Sequence, residues 1–172
     1  MVYVWRARVT FPDFEEFIAS LNAHRVRYLV VGGYAVGFHA RPRATKDIDV
    51  LVDRTPANAR RTLAAIRAFL GSAARGITLV RLTNPRTLIV LGISPVRIDI
   101  LTSIDGVPSF SSAWKGRVTG SYGATPAEFL GLHDLVASKK AAGRLQDLAD
   151  VESLERAQRL TLQRGRKLRK RR

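Results

Sequence analysis

The sequence predicts a single α/β domain whose core is followed by further helices, and three observations predict it. The 172 residues are 46% hydrophobic, enough to bury one ordinary core. Apolar strand-like runs at Tyr28 to Val31, Asp47 to Val52 and Val96 to Leu101 alternate with stretches of helical periodicity. The first of these strands runs directly into Gly32-Gly33, and the second opens on Asp47-Ile48-Asp49.

Taken in order, Met1 to Thr10 alternates apolar and basic residues, Trp5 among them, and settles on no element. Asp13 to Arg25 is a helix, because Phe14, Phe17, Ile18 and Leu21 fall at i, i+3, i+4 and i+7, and Asp13 with Glu16 resembles a capping box after Pro12. Tyr28 to Val31 is a buried strand. Gly32-Gly33 makes a turn into a short helix from Tyr34 to His39, which Pro42 stops. Asp47 to Val52 is the second strand. Thr55 and Pro56 cap a helix running through Leu63, Ile66 and Leu70.

Ile77 to Leu82 and Leu88 to Leu91 read as paired strands around an Asn84-Pro85 turn. Val96 to Leu101 is another strand, and Thr102 to Thr125 reads as loop and edge strand. Thr125-Pro126-Ala127-Glu128 matches a capping box with proline in the first turn, so a helix is expected there, with Phe129, Leu132 and Leu135 or Val136 on its apolar face. Gly143 ends it, and Asp147 with Asp150 can cap the next helix, through Val151, Leu154 and Ala157, Asp147 reading equally as a cap or as a catalytic-site partner. The expected division is a core at 1–125, packed C-terminal helices at 126–160 and a basic tail at 161–172.

The chemistry starts from the second strand. With side chains alternating at a period of two, Asp47 and Asp49 point the same way, about 7 Å apart. Like charges so placed repel, and a divalent cation relieves the repulsion. Magnesium suits such a site, because it takes oxygen ligands and is commonly held by one or two carboxylates together with substrate phosphates. Gly32 and Gly33 let backbone N–H groups at a helix N-terminus approach a phosphate. Asp99, set between Ile98 and Ile100, completes a three-carboxylate cluster if its strand lies beside Asp47 to Val52; the alternative is an ion pair with an arginine such as Arg97. Lys139, Lys140 and Arg144 gather near a helix end, where they neutralise a triphosphate or simply favour the helix C-terminus. His39 either contacts nucleotide or is a hydrogen-bonded structural histidine, and His133 reads as structural.

Composition narrows the classes. There is no cysteine, which excludes disulfides, thiolate metal sites and cysteine nucleophiles and permits a reducing cytoplasm. No apolar run approaches the roughly 18 residues of a membrane span, and the start of the chain lacks a signal pattern, so a soluble cytoplasmic protein with no membrane partner is expected. The net charge of +15 favours a polyanionic partner. Seven basic residues lie in Arg164 to Arg172; without them 22 basic and 14 acidic residues leave +8. That run is a frayed tail or a nucleic-acid arm.

Gly32-Gly33, then Arg43-x-Thr45-x-Asp47-x-Asp49, then Asp99 in a later strand, resembles the nucleotidyltransferase superfamily that shares the DNA polymerase beta-like catalytic fold. Within it, Lys139 to Arg144 and Asp147 to Val151 are similar to the abortive-infection (AbiEii-type) toxin nucleotidyltransferases and their small relatives. The likeness spans Tyr28 to Leu154. It implies a mixed sheet flanked by helices and two Mg²⁺ ions, with Mn²⁺ as a substitute. It also implies transfer of a nucleoside monophosphate from a nucleoside triphosphate such as ATP to a hydroxyl acceptor. By the same resemblance Asp47, Asp49 and Asp99 are catalytic metal ligands, Asp99 also helping to activate the attacking hydroxyl. Gly32 and Gly33 hold phosphates, and Arg43, Thr45 and Lys139 contact phosphates or neighbouring groups.

The leading expectation is an enzyme acting on RNA, tRNA first, as a toxin or toxin-like protein of a toxin-antitoxin or phage-defence system, with an antitoxin protein as a candidate partner. A second is transfer to a protein or an antibiotic-like small molecule. A third is a catalytically silent module that binds nucleic acid or a partner protein.

Overall fold

The computed structural model describes residues 11–93 and 96–169, with side chains to residue 163. The reading of Met1 to Thr10 and the side chains of Arg164 to Arg172 lie outside the described residues. Helix α1 (Pro12–Ala23) buries Phe14, Phe17, Ile18 and Leu21, the face its periodicity predicts. Its start differs from the capping-box reading: Phe11 is the N-cap and no side chain caps the helix. Glu15 instead turns away to accept from the Ala124 N–H and the Thr125 hydroxyl.

Strand β1 (Tyr28–Val31) leads into α2 (Gly32–His39), so the glycine pair forms the first turn of the helix itself. Strand β2 (Asp47–Val52) and α3 (Pro56–Leu70) follow. Thr55 stands at the N-cap of α3 but its hydroxyl makes no cap bond. Asp53, ahead of the helix, accepts from the Thr55 N–H while its other oxygen pairs with Arg27.

The expected strand at Ile77 to Leu82 is absent. A 3-10 turn (Gly71–Gly76) and a short helix α4 (Leu79–Thr83) occupy this stretch, the Thr78 hydroxyl capping the helix by accepting from the Arg81 N–H. Only Ile77 and Leu82 reach the core, and Leu79 and Val80 face outward, a spacing that alternation cannot supply.

Strand β3 (Leu88–Ile93) therefore pairs with β4 (Val96–Leu101) instead. Helix α5 (Phe110–Lys115), capped by Ser109, interrupts the stretch expected to be loop, and β5 (Val118–Tyr122) is its edge strand. The helix expected from Thr125 is also absent: Thr125–Phe129 is strand β6, paired antiparallel with β5 across the Gly123-Ala124 turn. Burial alternates there, with Ala127 and Phe129 inside, and Phe129 stacks on Phe38. Helix α6 (Leu132–Ala142) starts after Gly131 and ends, as its sequence predicts, at Gly143 in the left-handed conformation. Helix α7 spans Leu145–Arg169.

The six strands form one mixed sheet in the order β3-β4-β2-β1-β6-β5, flanked by helices. Strands β2 and β4 run parallel, as do β1 and β6, and the remaining neighbours are antiparallel. Helices α1 and α3 pack together, while α2 meets α6 and α7. Among the described residues no helix is long and apolar enough to cross a membrane.

Candidate functional site

Register brings the acidic residues together. In the parallel β2–β4 pair Asp49 stands opposite Asp99 and Asp47 opposite Arg97. Since all four positions share one parity, their side chains leave the same face of the sheet, while Ile48, Val50, Ile98 and Ile100 fill the other. The face opens into a cavity of about 620 Å³. Gly32, Gly33, Arg43, Thr45 and Lys139 line it together with all three aspartates, whereas His39 and Lys140 do not.

Gly32 has φ +60°, and a Cβ there would overlap the Asp49 carboxylate. The start of α2 therefore lies flush against the acidic cluster. A Cβ on Gly33 would press on Arg43 Nη2 and Thr45 Oγ1, each 3.1 Å away. Thr45 donates its hydroxyl to the backbone oxygen of Asp47 at 3.2 Å and to its carboxylate at 3.1 Å, which fixes the turn into β2.

Burial raises the Asp49 pKa from 3.8 to about 6, with the charges of Asp47 and Asp99 adding to the effect. Burial also raises that of Asp99, against the opposing pull of Arg97. The alternative reading of Asp99 is realised in this geometry: Arg97 Nη2 donates to Asp99 Oδ2 at 2.9 Å and to Asp47 Oδ2 at 2.7 Å.

The basic side of the cavity is built from Lys139 on α6, Arg144 just before α7 and Arg43 ahead of β2. Lys139 is buried, with Nζ 2.8 Å from Asp147 Oδ1 and 2.9 Å from Asp150 Oδ2. Arg144 Nε donates to Asp147 Oδ2 at 2.6 Å. Arg43 grips Asp150 through Nε at 2.9 Å and Nη2 at 3.1 Å. Burial alone would push the Asp147 pKa up, but Arg144 and Lys139 outweigh it and hold the carboxyl near 2.

Asp147 and Asp150, expected as helix caps, are thus the anions of a buried network that ties α6, α7 and the segment before β2 together. Lys140 lies apart, paired on the surface with Glu155. His39 bonds the Leu130 carbonyl through Nε2 at 2.7 Å, and burial lowers its pKa. Sequence reasoning missed Arg86, Ser103 and Asp105, which close the cavity beyond Asp99. Arg86 carries a positive φ of 55°, and no pattern in the chain announces it.

Three carboxylates are hard oxygen donors of the kind a magnesium ion takes, and buried Asp99 Oδ1 has no hydrogen-bond partner. The donor set therefore fits a divalent ion in kind and number. As the side chains stand, no three acidic or histidine groups among the described residues converge tightly enough to hold one, and Arg97 bridges Asp47 and Asp99.

The chain matches, over residues 11–170, the model of a family described as "Nucleotidyltransferase of unknown function (DUF6036)". It belongs to this family. The match takes in the whole sheet and both faces of the cavity, so the nucleotidyltransferase description covers the same residues as the acidic cluster. No curated protein matches the chain.

Proposed function

We propose that this DUF6036 nucleotidyltransferase is a magnesium-dependent enzyme that moves a nucleoside monophosphate from a triphosphate to a hydroxyl of RNA, with tRNA the first candidate. One observation carries the reading: Asp49 and Asp99 pair in register on parallel strands, with Asp47 on the same face and the N-terminus of α2 against Asp49. Asp47, Asp49 and Asp99 would hold the metal. When bound, the metal neutralises charge on the triphosphate and on the attacking and leaving oxygens.

The chain's own groups do the rest. Gly32 and Gly33 present backbone N–H groups to the phosphates, as a helix N-terminus does for anions. Arg43, Lys139 and Arg144 line that end of the cavity and set a positive field there, while Thr45 holds the Asp47 loop. Asp99, its pKa raised by burial, accepts the proton of the acceptor hydroxyl. The hydroxyl oxygen bonds to the α-phosphorus as the bond to the β-phosphate bridging oxygen breaks, and pyrophosphate leaves. Arg86 and Ser103, which line the same cavity, are the side chains we assign to the acceptor.

The excess of 29 basic over 14 acidic residues supports RNA over an uncharged acceptor. Likeness of the Lys139 to Val151 segment to AbiEii-type toxins supports a role as the toxin half of a pair with an antitoxin.

The test offers α-labelled triphosphates with Mg²⁺ to total RNA and total protein. Label in RNA that falls steeply with added salt supports the reading. Label in protein moves the acceptor to the second class, and triphosphate binding without label in either points to a small-molecule acceptor. No triphosphate binding leaves a silent module.

A further inference from the structure

Arg43 and Arg97 both bind carboxylates at this site, and they do so very differently. Arg43 meets Asp150 as a two-pronged fork, each nitrogen on its own oxygen. Arg97 spends the single nitrogen Nη2 on both Asp47 and Asp99, while its buried Nε and the buried Asp99 Oδ1 stay without partners. The first geometry is the strong form of an arginine–carboxylate pair; the second forgoes the fork and leaves buried polar atoms unsatisfied. Its side chain is also 41% exposed, at the mouth of the cavity, so it can leave without disturbing the core. Lys139 and Arg144 share the cavity but are held by Asp147, so among the described residues Arg97 is the cation in contact with Asp47 and Asp99 and the one an entering ion has to displace.

We propose that Arg97 is a resident cation that competes with the divalent metal: the ion enters by displacing the guanidinium from Asp47 and Asp99, and the freed arginine turns into the cavity toward a substrate phosphate. The proposal rests on the nucleotidyltransferase reading of this site. The register that pairs Asp47 with Arg97 and puts Asp99 two residues further along makes the same strand supply a metal ligand and its competitor. Loss of the guanidinium bridge and gain of the ion are then one exchange, and neither cation needs the backbone to move.

The experiment titrates Mn²⁺ alone against wild type, Arg97→Met, Arg97→Lys and, as a control, Arg86→Met, with free ion read by electron paramagnetic resonance. Arg86 lines the same cavity without touching the carboxylates, so it reports the effect of merely removing a nearby positive charge. Arg97→Met is expected to bind Mn²⁺ at least about fivefold more tightly than wild type. Arg97→Lys should stay near wild type, and Arg86→Met should gain clearly less.

Equal affinity of Arg97→Met and wild type, or an equal gain in Arg86→Met, overturns the proposal while leaving the metal-dependent reading standing. Absence of Mn²⁺ binding in both wild type and Arg97→Met removes that reading and the proposal with it. Should Arg97→Met fail to fold, wild-type protein gives a second answer through phenylglyoxal modification mapped by mass spectrometry. Mg²⁺ should expose Arg97 to the reagent and leave Arg43 unchanged, and no rise at Arg97 contradicts the exchange.

Discussion

The Cα of Gly32 lies so close to the carboxylate of Asp49 that no side chain fits between them, and its φ of +60° is one that glycine alone adopts without strain. The glycine is therefore part of the acidic cluster's shape. Gly32→Ala should cost at least about 1 kcal/mol in stability and displace Asp49. Gly33→Ala, which meets Arg43 and Thr45 only at 3.1 Å, should cost less. Denaturant unfolding of the two variants side by side checks the ranking, and equal losses would contradict it.

Asp49 contributes its own pH dependence to the stability of the metal-free protein. Its folded pKa of about 6 exceeds the ordinary 3.8, so the folded state holds the proton where the unfolded chain has lost it. The resulting stability is complete below about pH 4 and is lost as pH rises through 6. Asp49→Asn should remove this slope and leave the metal-free protein about 1 to 3 kcal/mol more stable at pH 8. It should also abolish transfer. Melting curves of wild type and Asp49→Asn from pH 4 to 8 in a chelator decide; a stability advantage of the variant that does not grow with pH across that window would contradict the assignment.

Asp147 works in the opposite sense. Its folded pKa, near 2, lies below the ordinary 3.8, so its contribution is present above about pH 4 and disappears as pH falls toward 2. Acid unfolding should therefore be less steep in Asp147→Asn than in wild type, although the variant starts from lower stability.

The sheet and the acidic face were legible because their signals are local and periodic. Alternation at Asp47 to Val52 and at Val96 to Leu101 gives two strands with carboxylates on one face, and only the pairing of those strands, in parallel register, had to come from the fold. Gly143 read correctly as a helix end because the left-handed conformation selects glycine. Thr125-Pro126-Ala127-Glu128 misled, since the capping pattern is local whereas Ala127 and Phe129 are claimed by a distant neighbour, Phe38, and by the hairpin with β5. Ile77 to Leu82 misled for the converse reason, its apolar residues being only partly buried. The pairing of Arg43 with Asp150 joins residues 107 positions apart, and no spacing announces it or sets Lys139 between Asp147 and Asp150 across the turn from α6 to α7.

That network yields a separate expectation for Lys139. Its Nζ is buried between Asp147 and Asp150, so Lys139→Met leaves two buried carboxylates each short of a cation and should cost about 3 kcal/mol. The double variant Lys139→Met/Asp147→Asn should lose less than the sum of the single losses, with a coupling of at least about 1 kcal/mol. Unchanged stability in Lys139→Met together with lost triphosphate binding would make the lysine a phosphate ligand first.

The most direct measurement of the central claim follows the two ends of the triphosphate. Each nucleoside triphosphate, labelled at either the α- or the γ-phosphate, is incubated with Mg²⁺, total RNA, and wild-type or Asp49→Asn protein. The account predicts α-label in RNA, γ-label in pyrophosphate, and neither product with Asp49→Asn. Label from the γ-phosphate in the acceptor, or α-label transferred equally well by Asp49→Asn, would contradict nucleotidyl transfer at the Asp47, Asp49 and Asp99 cluster.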